Sequence, residues 1–176
     1  MRMRGVLPVL LGLMLTSCTG QRSEEPVRTM PPLELSESLS CTNAVRIRPL
    51  PHWALAGFGH PDTPWAHVVG VRGDIVGVVF GYPLHAPGPE PGHENKILWV
   101  ANPGAPIDAP DANRTTGALN IHATLNGSRV VADRTVAVGP SYVDMPRAGC
   151  WTLTLSYAGH RDQVAVPYEP ATPSTR

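Results

Sequence analysis

The chain has a single lysine, Lys96, among its 14 basic residues, and 14 acidic residues bring the formal charge to zero. With neither a basic stripe nor an acidic block, it lacks the electrostatic footprint of a nucleic-acid-binding protein. It also lacks the local patterns of common catalytic sites. There is no Gly-x-Ser-x-Gly elbow, no His-Glu-x-x-His helix and no glycine loop cradling phosphate between a strand and a helix. No nucleophile–base pair can be named from spacing, so the chain reads as a non-enzyme, a hydrolase ranks last among its possible roles, and no cofactor is implied. Long helices are disfavoured too, because 20 prolines and 17 glycines are spread among 176 residues.

What is present begins at the N-terminus. Arg2 and Arg4 precede a leucine-rich apolar stretch, residues 6–15, which is too short to span a hydrocarbon core of roughly 30 Å as a helix. This is the layout of a secretory signal peptide over residues 1–17. The stretch ends in Leu15-Thr16-Ser17-Cys18, which resembles the bacterial lipobox, the site of signal peptidase II. The resemblance implies cleavage before Cys18 and lipid on its sulfur. It also implies a location on the extracytoplasmic face of the bacterial cell membrane. Two acyl chains or more anchor stably where one binds only marginally, at ~0.8 kcal/mol per buried methylene. Loss of Arg2 and Arg4 leaves the mature chain with two net negative charges.

Residues 19–40 are polar, proline-containing and aperiodic, so residues 18–40 read as a lipidated flexible tether. Its reach is roughly 25 Å at about 5–6 Å times the square root of length. Residues 169–176 read as a disordered tail, leaving residues 41–168 for one domain. Within it, valine-rich runs at 67–71 and 75–82 flank the turn Arg72-Gly73-Asp74, and an apolar run covers 96–100. Residues 119–125 alternate apolar and polar side chains, as a half-buried strand does, and Asn126-Gly127 then predicts a type I′ hairpin. The return strand, 129–138, loses its alternation midway, which predicts a bulge. Residues 150–157 alternate cleanly, with Trp151, Leu153, Leu155 and Tyr157 on one face, and residues 161–166 follow after a turn. About seven short strands separated by turns predict an all-β antiparallel sandwich.

With Cys18 given to lipid, Cys41 and Cys150 remain in an oxidising compartment and are expected to pair. Closing a loop near this length is worth about 4.7 kcal/mol in the chain-entropy picture. Strand period places Cys150 opposite Trp151, so the bridge is expected on the outer side of the strand.

The stretch Ala148-Gly149-Cys150-Trp151-Thr152-Leu153-Thr154-Leu155, with Gly159, Asp162 and Val164, resembles the C-terminal hairpin of uncharacterised exported bacterial lipoproteins with an immunoglobulin-like domain. Residues 74–79 and 95–100 are similar to the same group. The resemblance implies an immunoglobulin-like sandwich at the cell surface and transfers no catalytic motif.

Candidate binding residues fall in two loops. Residues 83–95 hold His85, Glu90, His93 and Glu94, a set whose imidazoles and carboxylates suit zinc or copper chemically but whose spacing fixes no geometry. Residues 52–65 hold Trp53, Phe58 and Trp65, expected to plug one end of the sandwich, with an exposed shelf for a glycan or peptide as the alternative. Asp108, Asp111 and Asn113 lack the spacing of a calcium loop, and Arg72-Gly73-Asp74 reads as a turn rather than an integrin ligand. The leading expectation is a non-catalytic binding or accessory module for an envelope polymer or envelope protein. A metal-binding or chaperone-like protein using His85 and His93 comes second.

Overall fold

Three valines and an isoleucine among the five residues 75–79 call for a strand covered on both faces, and the surrounding chain supplies both covers. The computed structural model describes residues 38–88, 92–107, 117–137, 139–157 and 159–171. Ten strands follow in chain order: β1 (Arg46–Arg48), β2 (Trp65–Val69), β3 (Ile75–Val79), β4 (Leu84–Ala86), β5 (Lys96–Ala101), β6 (Ala118–Leu125), β7 (Val131–Ala137), β8 (Pro140–Tyr142), β9 (Gly149–Tyr157) and β10 (His160–Pro170). They form two five-stranded sheets. Sheet one runs β1-β2-β3-β5-β8, and sheet two runs β4-β10-β9-β6-β7. The protein is an all-β sandwich, antiparallel in its pairings except where β4 lies parallel to the end of β10. The strands beyond the seven expected are β1, β4 and β8, each three residues long and too short to show a period.

The inner faces meet in one core. Trp151, Leu153 and Leu155 of β9 and Leu119, Ile121 and Ala123 of β6 pack against Ile75, Val79, Ile97 and Trp99 of sheet one. Trp151 is fully buried, and its Nε1 donates to the Arg147 carbonyl at 2.9 Å. The indole thus buries its apolar body with its one donor satisfied.

A buried carboxylate ties the sheets together. Asp162, fully buried on β10, accepts backbone N–H bonds from Arg72, Asp74, Ile75 and Gln163 at 2.8–3.1 Å. Two of these come from the β2–β3 connection and one from the first residue of β3, and such charge-assisted bonds are among the stronger ones. A Cβ at Gly70 would overlap the Asp162 carboxylate, so only glycine lets the carboxylate approach. Asp74 is 5% exposed and pairs with Arg72 at 3.0 Å, so this tripeptide is a structural turn.

Cys41 and Cys150 form a disulfide with Cα atoms 5.6 Å apart, within the roughly 7 Å a bridge requires. It sits on the outer side of β9, opposite Trp151, where residues 38–44 lie as a strap. The packed chain starts ahead of the expected boundary at Cys41, since Leu39 N–H already donates to Thr152 Oγ1 at 2.9 Å. At the other end β10 runs to Pro170, and Ala171 N–H donates to the Ala86 carbonyl. Residues 169–171, expected in the tail, therefore belong to the sheet. The cause is pairing with β4, a distant partner that local composition does not reveal.

Two turn-level expectations are corrected. The β6–β7 register is continuous from Ala118↔Ala137 to Thr124↔Val131, so β7 carries no bulge there. The hairpin exists, but Gly127 has φ +69° while Asn126 is not among the positive-φ residues, so the turn is not type I′. Asn126 is the first turn residue after β6, and its N–H still donates to the Cys150 carbonyl of β9 at 2.9 Å. Its side chain accepts from Thr152 Oγ1 and donates to the Leu39 carbonyl, clamping the strap beside the disulfide.

Candidate binding surface

Strand alternation divides sheet one into an inner face and an outer face. Val76 and Val78 of β3, Leu98 and Val100 of β5, and Trp65 and Val69 of β2 point outward. Residues 50–58, including a 3₁₀ turn at His52–Ala54, cover most of them. Leu50 and Ala54 are buried there with Val76 and Val78, and Trp53, Leu55 and Phe58 pack around them. Trp53, Phe58 and Trp65 thus do pack, but over the outer face of a sheet rather than as a plug at the end of the sandwich. The valine run of β3 required that cover.

Under the cover lies His67, fully buried. Its Nδ1 is 2.8 Å from the Trp65 carbonyl, and its Nε2 has no hydrogen-bond partner. Burial lowers its pKa below the ordinary histidine value; the Trp65 bond opposes this, and Arg48 and Arg46 add to the lowering.

The cover stops at Phe58, whose ring meets Trp65 edge-on at 5.1 Å. One cross-strand row beyond it stays open. Arg48 is opposite Trp65 in the β1–β2 register, and Lys96 is opposite Tyr142 in the β5–β8 register. Phe80 bridges the two halves: its ring contacts Trp65 at 6.1 Å, and its N–H donates to the Lys96 carbonyl at 2.9 Å. Arg48, Trp65, Phe80, Lys96 and Tyr142 therefore line up on one face, a strand spacing of about 4.8 Å apart. Phe80 is 43% exposed and Tyr142 53%, and Tyr82, two residues on, is 45% exposed. Tyr142 Oη and Glu94 Oε1 are 3.2 Å apart, and this bond with the carboxylate charge raises the phenol pKa.

The 83–95 loop borders this row. It contains β4, whose Leu84 and Ala86 are core residues, so it is less free than a thirteen-residue loop. Asn95, 2% exposed, holds it closed. Asn95 Oδ1 accepts from His85 N–H, and Nδ2 donates to the His85 carbonyl and to Asp144 Oδ1. His85 and His93 come together as a stacked pair, with centroids 4.0 Å apart and planes within 15°. Imidazole lone pairs lie in the ring planes, so a shared ion would have to lie in both of two nearly parallel planes. At metal–nitrogen distances of about 2.0–2.1 Å this stacking does not chelate. Among the described residues no group of three metal-ligating side chains occurs.

Cys18, Glu90, Asp108, Asp111 and Asn113 lie outside the described residues. Phe80 and Tyr142 were not singled out by the sequence reading. Phe80 is hidden as the next same-face position after Val76 and Val78, and Tyr142 stands in a strand too short to carry a pattern. Between the residue 38–44 strap and β10 is a shallow concavity of about 170 Å³, lined in part by Leu39, Arg46, Val71 and Gln163. It is smaller than the roughly 300–1,000 Å³ of small-molecule pockets.

No family model and no curated protein matches the chain. Among solved structures, one described as a "Putative Lipoprotein from Bacillus anthracis" is similar over 64% of this chain and 82% of its own, at 19% identity and a TM-score of 0.38. Likeness at that level carries no argument about activity. Among the described residues no helix is long and apolar enough to cross a membrane.

Proposed function

We propose that this is an exported bacterial lipoprotein, held by lipid on Cys18 at the extracytoplasmic face of the membrane, whose sandwich is a non-catalytic binding module for the cell envelope. The carrying observation is the open row of Arg48, Trp65, Phe80, Lys96 and Tyr142, where large rings stay exposed beside a strap that covers the rest of the same face. Contiguous exposed aromatics rimmed by polar groups mark contact surfaces. The anchor rests on the leader and on Leu15-Thr16-Ser17-Cys18. The immunoglobulin-like reading of the sandwich rests on the Gly149-Cys150-Trp151 strand, whose tryptophan fills the inner face. The stacked geometry of His85 and His93 gives the metal-binding reading no added support.

Two measurements test this. Cell fractionation of Cys18→Ala should find the protein soluble or as an uncleaved precursor, and a processed, membrane-bound variant would remove the anchor. Sedimentation of that full chain with isolated envelopes should weaken when Phe80 and Tyr142 are both changed to Ala. Unchanged sedimentation would remove the row as the contact surface.

A further inference from the structure

The charges of the two sheets differ. The strands of sheet one carry Arg46, Arg48 and Lys96 and no acidic residue, whereas those of sheet two carry Asp133, Asp162 and Glu169 against Arg134 and Arg161. All three cations of sheet one belong to its outer face: Arg46 is opposite His67, Arg48 opposite Trp65 and Lys96 opposite Tyr142. The open row therefore sets two cations among three rings, with Lys96 between Phe80 and Tyr142, rings that stand two strand spacings apart, about 9.6 Å.

We infer that this row binds an anionic polysaccharide, its rings stacking on the apolar faces of sugar residues while Lys96 and Arg48 meet the acidic groups. The inference rests on the row being the contact surface. Charge complementarity carries it: the strands of this face offer three cations and no acidic residue, and Glu94, in the loop beside the row, accepts a hydrogen bond from Tyr142. A protein partner fits less well. Interface cores are depleted of lysine, and here Lys96 stands in the middle of the row between Phe80 and Tyr142. An anionic lipid surface shares the same charge chemistry, and the vesicle arm of the test below separates it from the polysaccharide.

Affinity electrophoresis of the full Cys18→Ala chain in native gels decides it, with polygalacturonate as the anionic probe and hydroxyethylcellulose as the neutral one. The protein should be retarded by the anionic polymer and not by the neutral one. Changing Phe80 and Tyr142 together to Ala should weaken retardation about tenfold, the scale of one to two aromatic contacts. Lys96→Glu should abolish it, and Asp133→Asn on sheet two should leave it unchanged. Unaltered thermal melting of each variant shows that the fold is intact. If the anionic gel does not retard the chain, or retards it no less in the row variants, the polysaccharide is wrong. Row-dependent binding to phosphatidylglycerol vesicles would overturn it equally. In both cases row-dependent sedimentation with envelopes would leave the broader reading standing, whereas loss of that row dependence would remove the reading itself.

Discussion

The two sheets each have an outer face partly covered by a strap, and the covers are built from different chemistry. Residues 50–58 lie on sheet one through apolar contacts, with Leu50 and Ala54 buried against Val76 and Val78. Residues 38–44 lie on sheet two through polar bonds from Thr152 and Asn126 and through the Cys41–Cys150 bridge. The underlying strands dictate the difference. The outer face of β3 is valine and must be kept from water. That of β9 is Cys150, Thr152, Thr154 and Ser156, which needs hydrogen-bond partners wherever it is covered. Beyond the straps, sheet two stays polar over β6 and β7, where His122 meets Asp133 and Thr135 meets Asn120. Sheet one leaves rings and cations exposed. A face that must hide apolar surface yet keeps Phe80 and Tyr142 open is the one to suspect of binding.

The largest expected effect lies in the core that both sheets share. Trp151→Ala should lower unfolding free energy by about 3–5 kcal/mol, through lost transfer energy and a cavity. Chemical denaturation measures it, and a drop under 1 kcal/mol would mean that the tryptophan is not the inner keystone of both sheets.

Next comes the sheet-two strap. Changing Cys41 and Cys150 together to Ser should cost roughly 2–4 kcal/mol, below the chain-entropy figure because Asn126 and Thr152 still hold Leu39. Hydrogen exchange should then rise at Leu39 and across β9. Equal loosening of residues 50–58 would show that the two covers are coupled rather than independent.

A smaller effect is expected on sheet one. Phe58→Ala removes a half-buried ring whose visible contact is the Trp65 edge, and should cost about 1–2 kcal/mol. Tryptophan fluorescence should shift to the red as Trp53 and Trp65 gain water. An unshifted spectrum would place neither indole under this cover.

The smallest is a pH effect confined to the same cover. His67 has its pKa lowered in the fold, so the folded state keeps it neutral while the unfolded chain protonates near pH 6.5. Its contribution is complete above that value and is lost as pH falls below it toward the lowered folded pKa. The melting temperature should therefore decline on acidification from pH 7 to 5, and His67→Gln should flatten that part of the profile. A profile unchanged by the substitution would assign the acid sensitivity elsewhere.

The strands expected at 67–71, 75–82, 96–100, 119–125 and 150–157, found at 65–69, 75–79, 96–101, 118–125 and 149–157, were legible because each is long enough for alternation or a valine run to show. The bridge was legible from the expectation of export and a count of cysteines. The site was less so. The sequence pointed to Trp65 and to the 83–95 loop, which borders the row, but not to Phe80 or Tyr142. Their significance depends on which strands become neighbours and on where a strap ends.

The sequence by itself determined an all-β chain, the faces of β6 and β9, the outward cysteine and the inward tryptophan, because these follow from period two and from the chemistry of single residues. Tertiary structure decided the rest. It set the parallel pairing that drew residues 169–171 into a sheet, the carboxylate of Asp162 that holds the β2–β3 turn, and the apolar cover over β3. It also aligned Arg48, Trp65, Lys96 and Tyr142 from four separate strands with Phe80, the residue that follows β3. Those depend on contacts between residues far apart in the chain, where no local pattern carries the information.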